Sequence, residues 1–162
     1  MTARTASPGE KPAPSSIGDM SALQGQLDQL NDLALTLKHA HWNVTGPHFF
    51  TTHTMIDPQV DAVRDMVDAI AERMATIGGS PDGRAAGILQ RRPHDEYPLG
   101  RADALQHLSA LHEVYARVVL DHRAAARMFE GDPVTHDLLT AQSADLEKFH
   151  WFIAVHVQSI QA

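Results

Sequence analysis

The sequence predicts an all-α four-helix bundle, and three observations carry that expectation. Apolar residues recur at steps of three and four through four long stretches, the period of a helix with one buried stripe. Glycine and proline break the pattern between the stretches. No segment alternates apolar and polar residues at strand period. Rods of roughly 25–30 residues are about 40 Å long, and rods of that length bury their stripes against one another.

The elements follow in order. Residues 1–17 hold three prolines, five Ser/Thr and almost no large apolar side chain, and read as a flexible N-terminal tail; residues 18–162 form the bundle domain. The first stripe runs Leu23, Leu27, Leu30, Ala34, Leu37, His41, Val44 and stops at Gly46-Pro47. The second runs Ile56, Val60, Val63, Val67, Ile70, Met74, Ile77 and stops at Gly78-Gly79. Residues 80–100, rich in Gly, Pro, Arg and Asp, are a long loop or carry a short helix, and permit a crossover. The third stripe is Leu105, Leu108, Leu111, Tyr115, Val118, His122, Ala126, Phe129, closed by Gly131. Asp132-Pro133 has the form of an N-cap with proline at the first helical position. The fourth stretch carries Leu138, Leu139, Leu146, Phe149, Phe152 and Val155.

Composition narrows the function. Thirteen Lys+Arg against twenty Asp+Glu give a net charge of −7, which argues against a body built to grip nucleic acid or an anionic membrane. No apolar run approaches the roughly 20 residues of a membrane span. Cysteine is absent, so thiolate sites and disulfides are excluded and a reducing compartment fits. Eleven histidines without cysteine point to oxygen/nitrogen metal chemistry.

The second helix and its approach carry a stripe of ionisable residues beside the apolar one: His53, Asp57, Asp61, Asp68 and Glu72. His53/Asp57 and Asp68/Glu72 are i, i+4 pairs, each able to converge on one cation. His41 sits within the apolar stripe of the first helix, where a neutral imidazole ligand is comfortable. Blander accounts exist for each residue alone: His41 as a hydrogen-bonded core residue, Asp57-Pro58 as a helix N-cap, Asp68 and Glu72 as surface acids beside Arg64 and Arg73. Spacing decides for the set. Asp57 and Asp68 are eleven residues apart, about 16 Å along one helix, too far to share an ion within one chain. Two copies of the helix packed antiparallel about a two-fold axis would complete two sites. The chain has one Glu-x-x-His motif, Glu147 with His150, and no second, so a di-iron site inside one bundle is not expected.

These residues resemble the Dps family of mini-ferritins. The resemblance is carried by His41-Trp42-Asn43, Gly46, Phe49, His53, Asp57, Asp68, Ala71-Glu72-Arg73 and Gly78-Gly79 with Pro81. Tyr97-Pro98-Leu99, Leu146-Glu147-Lys148-Phe149 and Trp151-Phe152 add to it. It spans roughly Leu23 to Val157. It implies a hollow homo-dodecamer that oxidises Fe²⁺, with hydrogen peroxide preferred over dioxygen, and stores a ferric mineral core. The ferroxidase ligands would be His41, His53 and Asp57 of one subunit with Asp68 and Glu72 of its neighbour, and Trp42 would stand beside the centre, with Trp151 packing close by. Asp137 and Asp145 resemble acidic residues lining the family's iron-entry pores. Thr54 and Pro58 stand where many relatives carry acids that nucleate mineral, which leaves Asp61 and Asp65 as candidates. The location implied is the cytoplasm or the nucleoid. The rival reading is a DNA-binding stress protein; Arg4 and Lys11 are the only basic residues of the tail, so any DNA binding is expected to be weak and salt-sensitive.

Overall fold

The structure, a computed structural model, describes residues 17–158, with side chains from Met20 to Val157. Four long helices, α1 (Ile17–Asn43), α2 (Phe49–Thr76), α4 (Ala104–Met128) and α5 (Pro133–Gln158), are joined by a crossover carrying the short α3 (Ala85–Arg91). Two two-residue strands, β1 (Val44–Thr45) and β2 (Ala102–Asp103), complete the described residues. Ile17 is the first residue of α1, one position before the expected boundary; the rest of the tail lies outside the described residues.

The two strands fix the connectivity. β1 and β2 pair in parallel, Val44 opposite Ala102 and Thr45 opposite Asp103, so α1 ends where α4 begins. α2 starts at that same end, after a turn at Gly46 with φ +88°. The positive φ calls for glycine there, and a side chain would in addition have to push the Asp103 carboxylate aside. α2 then runs about 42 Å to the far end, and residues 77–103 return the chain, giving an up-down-down-up bundle. The return is strapped to α1. Arg91 grips Asp28 (2.5 and 2.9 Å), Arg92 grips Asp32 (2.6 Å), and the Gln24 amide brackets the backbone of Asp82 (2.9 and 3.0 Å).

The core is the predicted stripes facing one another: Leu23, Leu27, Leu30 and Leu37 against Ile56, Val63 and Ile70, and Leu111 and Tyr115 against Leu139 and Leu146, with Ile153 added from α5. Burying each such Leu or Ile contributes about 1.5–3 kcal/mol. One polar node crosses it, with a group from every long helix. His122 lies between the amides of Gln26 (2.8 Å) and Gln142 (3.1 Å), and Gln142 donates to the Met66 carbonyl (3.2 Å). Burial lowers the His122 pKa to about 4, against the pull of the Gln142 hydrogen bond.

Helix ends obey local chemistry. Asp103 caps α4 by accepting from the Leu105 amide (2.9 Å) while the Gln106 side chain accepts from the Asp103 amide (3.2 Å). Asp132 caps α5 as expected, accepting from the hydroxyl (2.6 Å) and amide (3.3 Å) of Thr135, and it binds Arg73 from the last turn of α2.

One expectation is corrected, and one of the blander accounts falls. α2 begins at Phe49, so Pro58 lies inside it and Asp57 is no N-cap. Proline there removes the bond to the Thr54 carbonyl yet does not end the helix, because tertiary packing outweighs the local penalty. In α5 the buried row is Leu139, Ser143, Leu146, Phe149 and Ile153, while Phe152 and Val155 are exposed. The outer face of that helix is apolar too, so hydrophobicity alone did not mark the buried side.

Candidate metal centre

The junction of α1 and α2 brings three of the five expected ligands together. The His41 imidazole, 6% exposed, stacks on that of His53, with ring centroids 3.6 Å apart and planes 22° from parallel. Each ring is held by the other residue's backbone: His41 Nδ1 donates to the His53 carbonyl and His53 Nδ1 to the His41 carbonyl, both at 3.0 Å. A neutral imidazole with its proton fixed on Nδ1 offers the Nε2 lone pair, so this reciprocal lock sets both rings in the ligand tautomer. Phe49 packs against His53 at 5.0 Å.

Asp57, one turn beyond His53, has a carboxylate oxygen 3.5 Å from His41 Nδ1 and a half-exposed side chain. Lys38, one turn before His41, hydrogen-bonds the same oxygen. That bond, helped by the two imidazoles and working against some desolvation, holds the Asp57 carboxyl below its ordinary value. Among the described residues no three His, Asp or Glu side chains of the chain converge on one metal position.

Asp68 and Glu72 lie on the same unbroken helix, eleven and fifteen positions beyond Asp57, and both are exposed. Arg73, adjacent to Glu72 in sequence, does not neutralise them. Its guanidinium is taken by Asp132 (2.7 and 2.9 Å) and the Thr135 hydroxyl (2.7 Å). The pair therefore forms no ion pair among the described residues. Asp61 and Asp65 are also exposed on α2, and the Thr54 hydroxyl is bonded back to the Phe50 carbonyl at 2.8 Å.

The remaining expected residues are more scattered. Trp42 is 71% exposed beside Phe49 and Arg101, at the rim of an open cleft of about 600 Å³. Trp151 is 61% exposed and touches Phe152, so within one chain it is not a packing residue of the junction. Asp137 is exposed, and Asp145 pairs with Lys148 at 2.6 Å. Two features escaped the sequence reading. Lys38 was legible as the residue one turn before His41, whereas the exchange of backbone carbonyls between the imidazoles left no signal in residue type.

An up-down-down-up bundle of four long helices with a crossover between the second and third is the architecture of a ferritin-like protein. The family model for the ferritin-like domain matches residues 20–162. The DNA protection during starvation protein of Mycolicibacterium smegmatis is 49% identical over 138 residues, covering 85% of this chain and 75% of its own. The fine tangled pili major subunit of Haemophilus ducreyi is 49% identical over 144 residues, covering 85% and 74%. Among solved structures, DpsA14 from Streptomyces coelicolor superposes with a TM-score of 0.85 at 51% identity, over 86% of this chain and 83% of that one. Mycobacterium smegmatis Dps gives 0.85 at 44% identity, over 96% and 94%. The chain belongs to the Dps family of ferritin-like proteins.

Proposed function

We propose that this protein oxidises Fe²⁺ at centres shared between two subunits and stores the Fe³⁺ as mineral inside a dodecameric shell. The observation that carries the reading is the division of α2: an imidazole half-site locked in the ligand tautomer at one end, and unpaired carboxylates towards the other. An antiparallel partner helix would bring Asp68 and Glu72 of one chain to His41, His53 and Asp57 of the next. Mixed imidazole and carboxylate donors suit Fe²⁺. Large apolar side chains left bare on the single chain, Trp42, Phe50, Leu120 and Trp151 among them, support burial between subunits.

In this reading iron is the substrate. Two ferrous ions each give one electron to one hydrogen peroxide, which takes two protons and leaves as two waters. Consuming both reagents of hydroxyl-radical chemistry protects DNA without touching it, which fits relatives named for DNA protection. The carboxylates hold the product ion as its charge rises, and the Nδ1–carbonyl bonds keep both rings aimed while it does. Asp61 and Asp65 are the nucleation candidates and Asp137 and Asp145 the entry candidates. The setting is the cytoplasm; among the described residues no helix is long and apolar enough to cross a membrane.

Stopped-flow absorbance of Fe²⁺ oxidation with peroxide and with dioxygen, run beside light scattering, tests this. The expected result is a particle of twelve times 17.7 kDa that oxidises iron faster with peroxide. A stable monomer at micromolar protein, or a shell no faster than buffer with either oxidant, overturns it.

A further inference from the structure

The lone Glu147-x-x-His150 motif does not act as a unit. Glu147 turns to Arg123 (2.7 Å), while His150, one turn on, faces His112 of α4. His150 Nε2 and His112 Nδ1 are 2.9 Å apart, with ring centroids 4.5 Å apart and planes tilted by 35°. The wholly buried Tyr115 ring backs His150 at 6.4 Å, nearly parallel, and its hydroxyl is anchored on the Gln59 amide at 2.7 Å. Both imidazoles are half-buried, open to water on one side. Burial first, and the neighbouring His112 second, hold His150 below its ordinary pKa. Across the 2.9 Å gap one ring nitrogen donates and the other offers a lone pair.

We propose that His112 and His150 are a second metal site, taking a borderline divalent ion of the zinc or copper type between His112 Nδ1 and His150 Nε2. Two imidazole nitrogens bound to one tetrahedral ion at about 2.0–2.1 Å lie about 3.3 Å apart. The observed 2.9 Å is a few tenths of an ångström short of that, a gap a small swing of either ring supplies. The bridging proton need not leave the protein: His150 keeps it on Nδ1 and His112 keeps its own on Nε2. The donors come from an antiparallel helix pair, so the site is held by the fold before an ion arrives. Glu113, next to His112, puts its negative charge within reach of His150 and favours a cation there. No third His, Asp or Glu converges among the described residues, so water completes the coordination, as in open zinc sites. All-imidazole donors rank copper and zinc above ferrous iron, which separates this site chemically from the mixed centre on α1 and α2. The inference does not depend on iron oxidation.

The probe is Zn²⁺ alone, titrated calorimetrically into the assembled, metal-stripped full chain. The background carries His53→Ala and Asp68→Ala, so that the iron centre does not contribute. The expected result is a bound ion that disappears, one per chain, when His112→Gln or His150→Gln is added, with no change in particle size. Unchanged stoichiometry in either variant overturns the site. Independently of any variant, zinc-soaked crystals of the unmodified protein should show an anomalous peak between the two rings. Rings still at hydrogen-bonding distance, with no peak, overturn it as well.

Discussion

Lys38 Nζ is hydrogen-bonded to the same Asp57 oxygen that lies 3.5 Å from His41 Nδ1. An ammonium thus occupies one flank of the carboxylate that an incoming ferrous ion would use, and the two cations compete for it. Lys38→Met should lower the Fe²⁺ concentration giving half-maximal oxidation by a few-fold, since it removes both the competitor and a like charge. A raised requirement in stopped-flow titrations would show instead that Lys38 positions Asp57.

His53→Ala and Asp68→Ala should each slow iron oxidation strongly without unfolding the subunit. Co-assembly separates a shared centre from a private one. Mixed dimers place both defects in one interfacial site and leave the other intact, so activity should partly return after subunit exchange. A rate that stays near zero in verified mixed shells would exclude the shared centre.

Acid should weaken the bundle through His122. Its folded pKa is about 4, against 6.5 ordinarily. Between those values the unfolded chain holds a proton that the folded chain refuses, so stability falls as pH drops through 6.5 and this contribution levels off below about 4. The slope is at most about 1.4 kcal/mol per pH unit per chain. His122→Gln should flatten the decline in melting temperature between pH 7 and pH 4.5 at fixed protein concentration. An equally steep variant would assign the acid sensitivity to other groups.

No tight DNA binding is expected at about 0.15 M salt, because the net charge is −7 and residues 1–17 offer only Arg4 and Lys11 as basic side chains. A retarded plasmid band at that salt would show this wrong and direct attention to those two residues.

The bundle was legible because its signals are local and repeated. The stripes of α1, α2 and α4, the stop at Gly78 and the Asp132 cap each follow from residues within a few positions of one another. α5 was misread at Phe152 and Val155 because a helix apolar on two sides does not declare its inner one. Pro58 sits inside α2, where a local rule yields to packing against α1. The cluster of His41, His53 and Asp57 was visible as types and spacings. The bonds that orient its two rings were not, because carbonyls exchanged between residues twelve positions apart depend on the turn at Gly46 rather than on any side chain.

The unbroken run of α2 from Asp57 to Asp68 bears, on the proposed reading, on when activity would begin during biogenesis. A newly folded chain would own both halves of a shared centre but could not join them, since the helix holds them about 16 Å apart. With a shared centre, turnover would switch on only as chains close into an enclosure, and insoluble ferric product would form only where a compartment already waits to receive it.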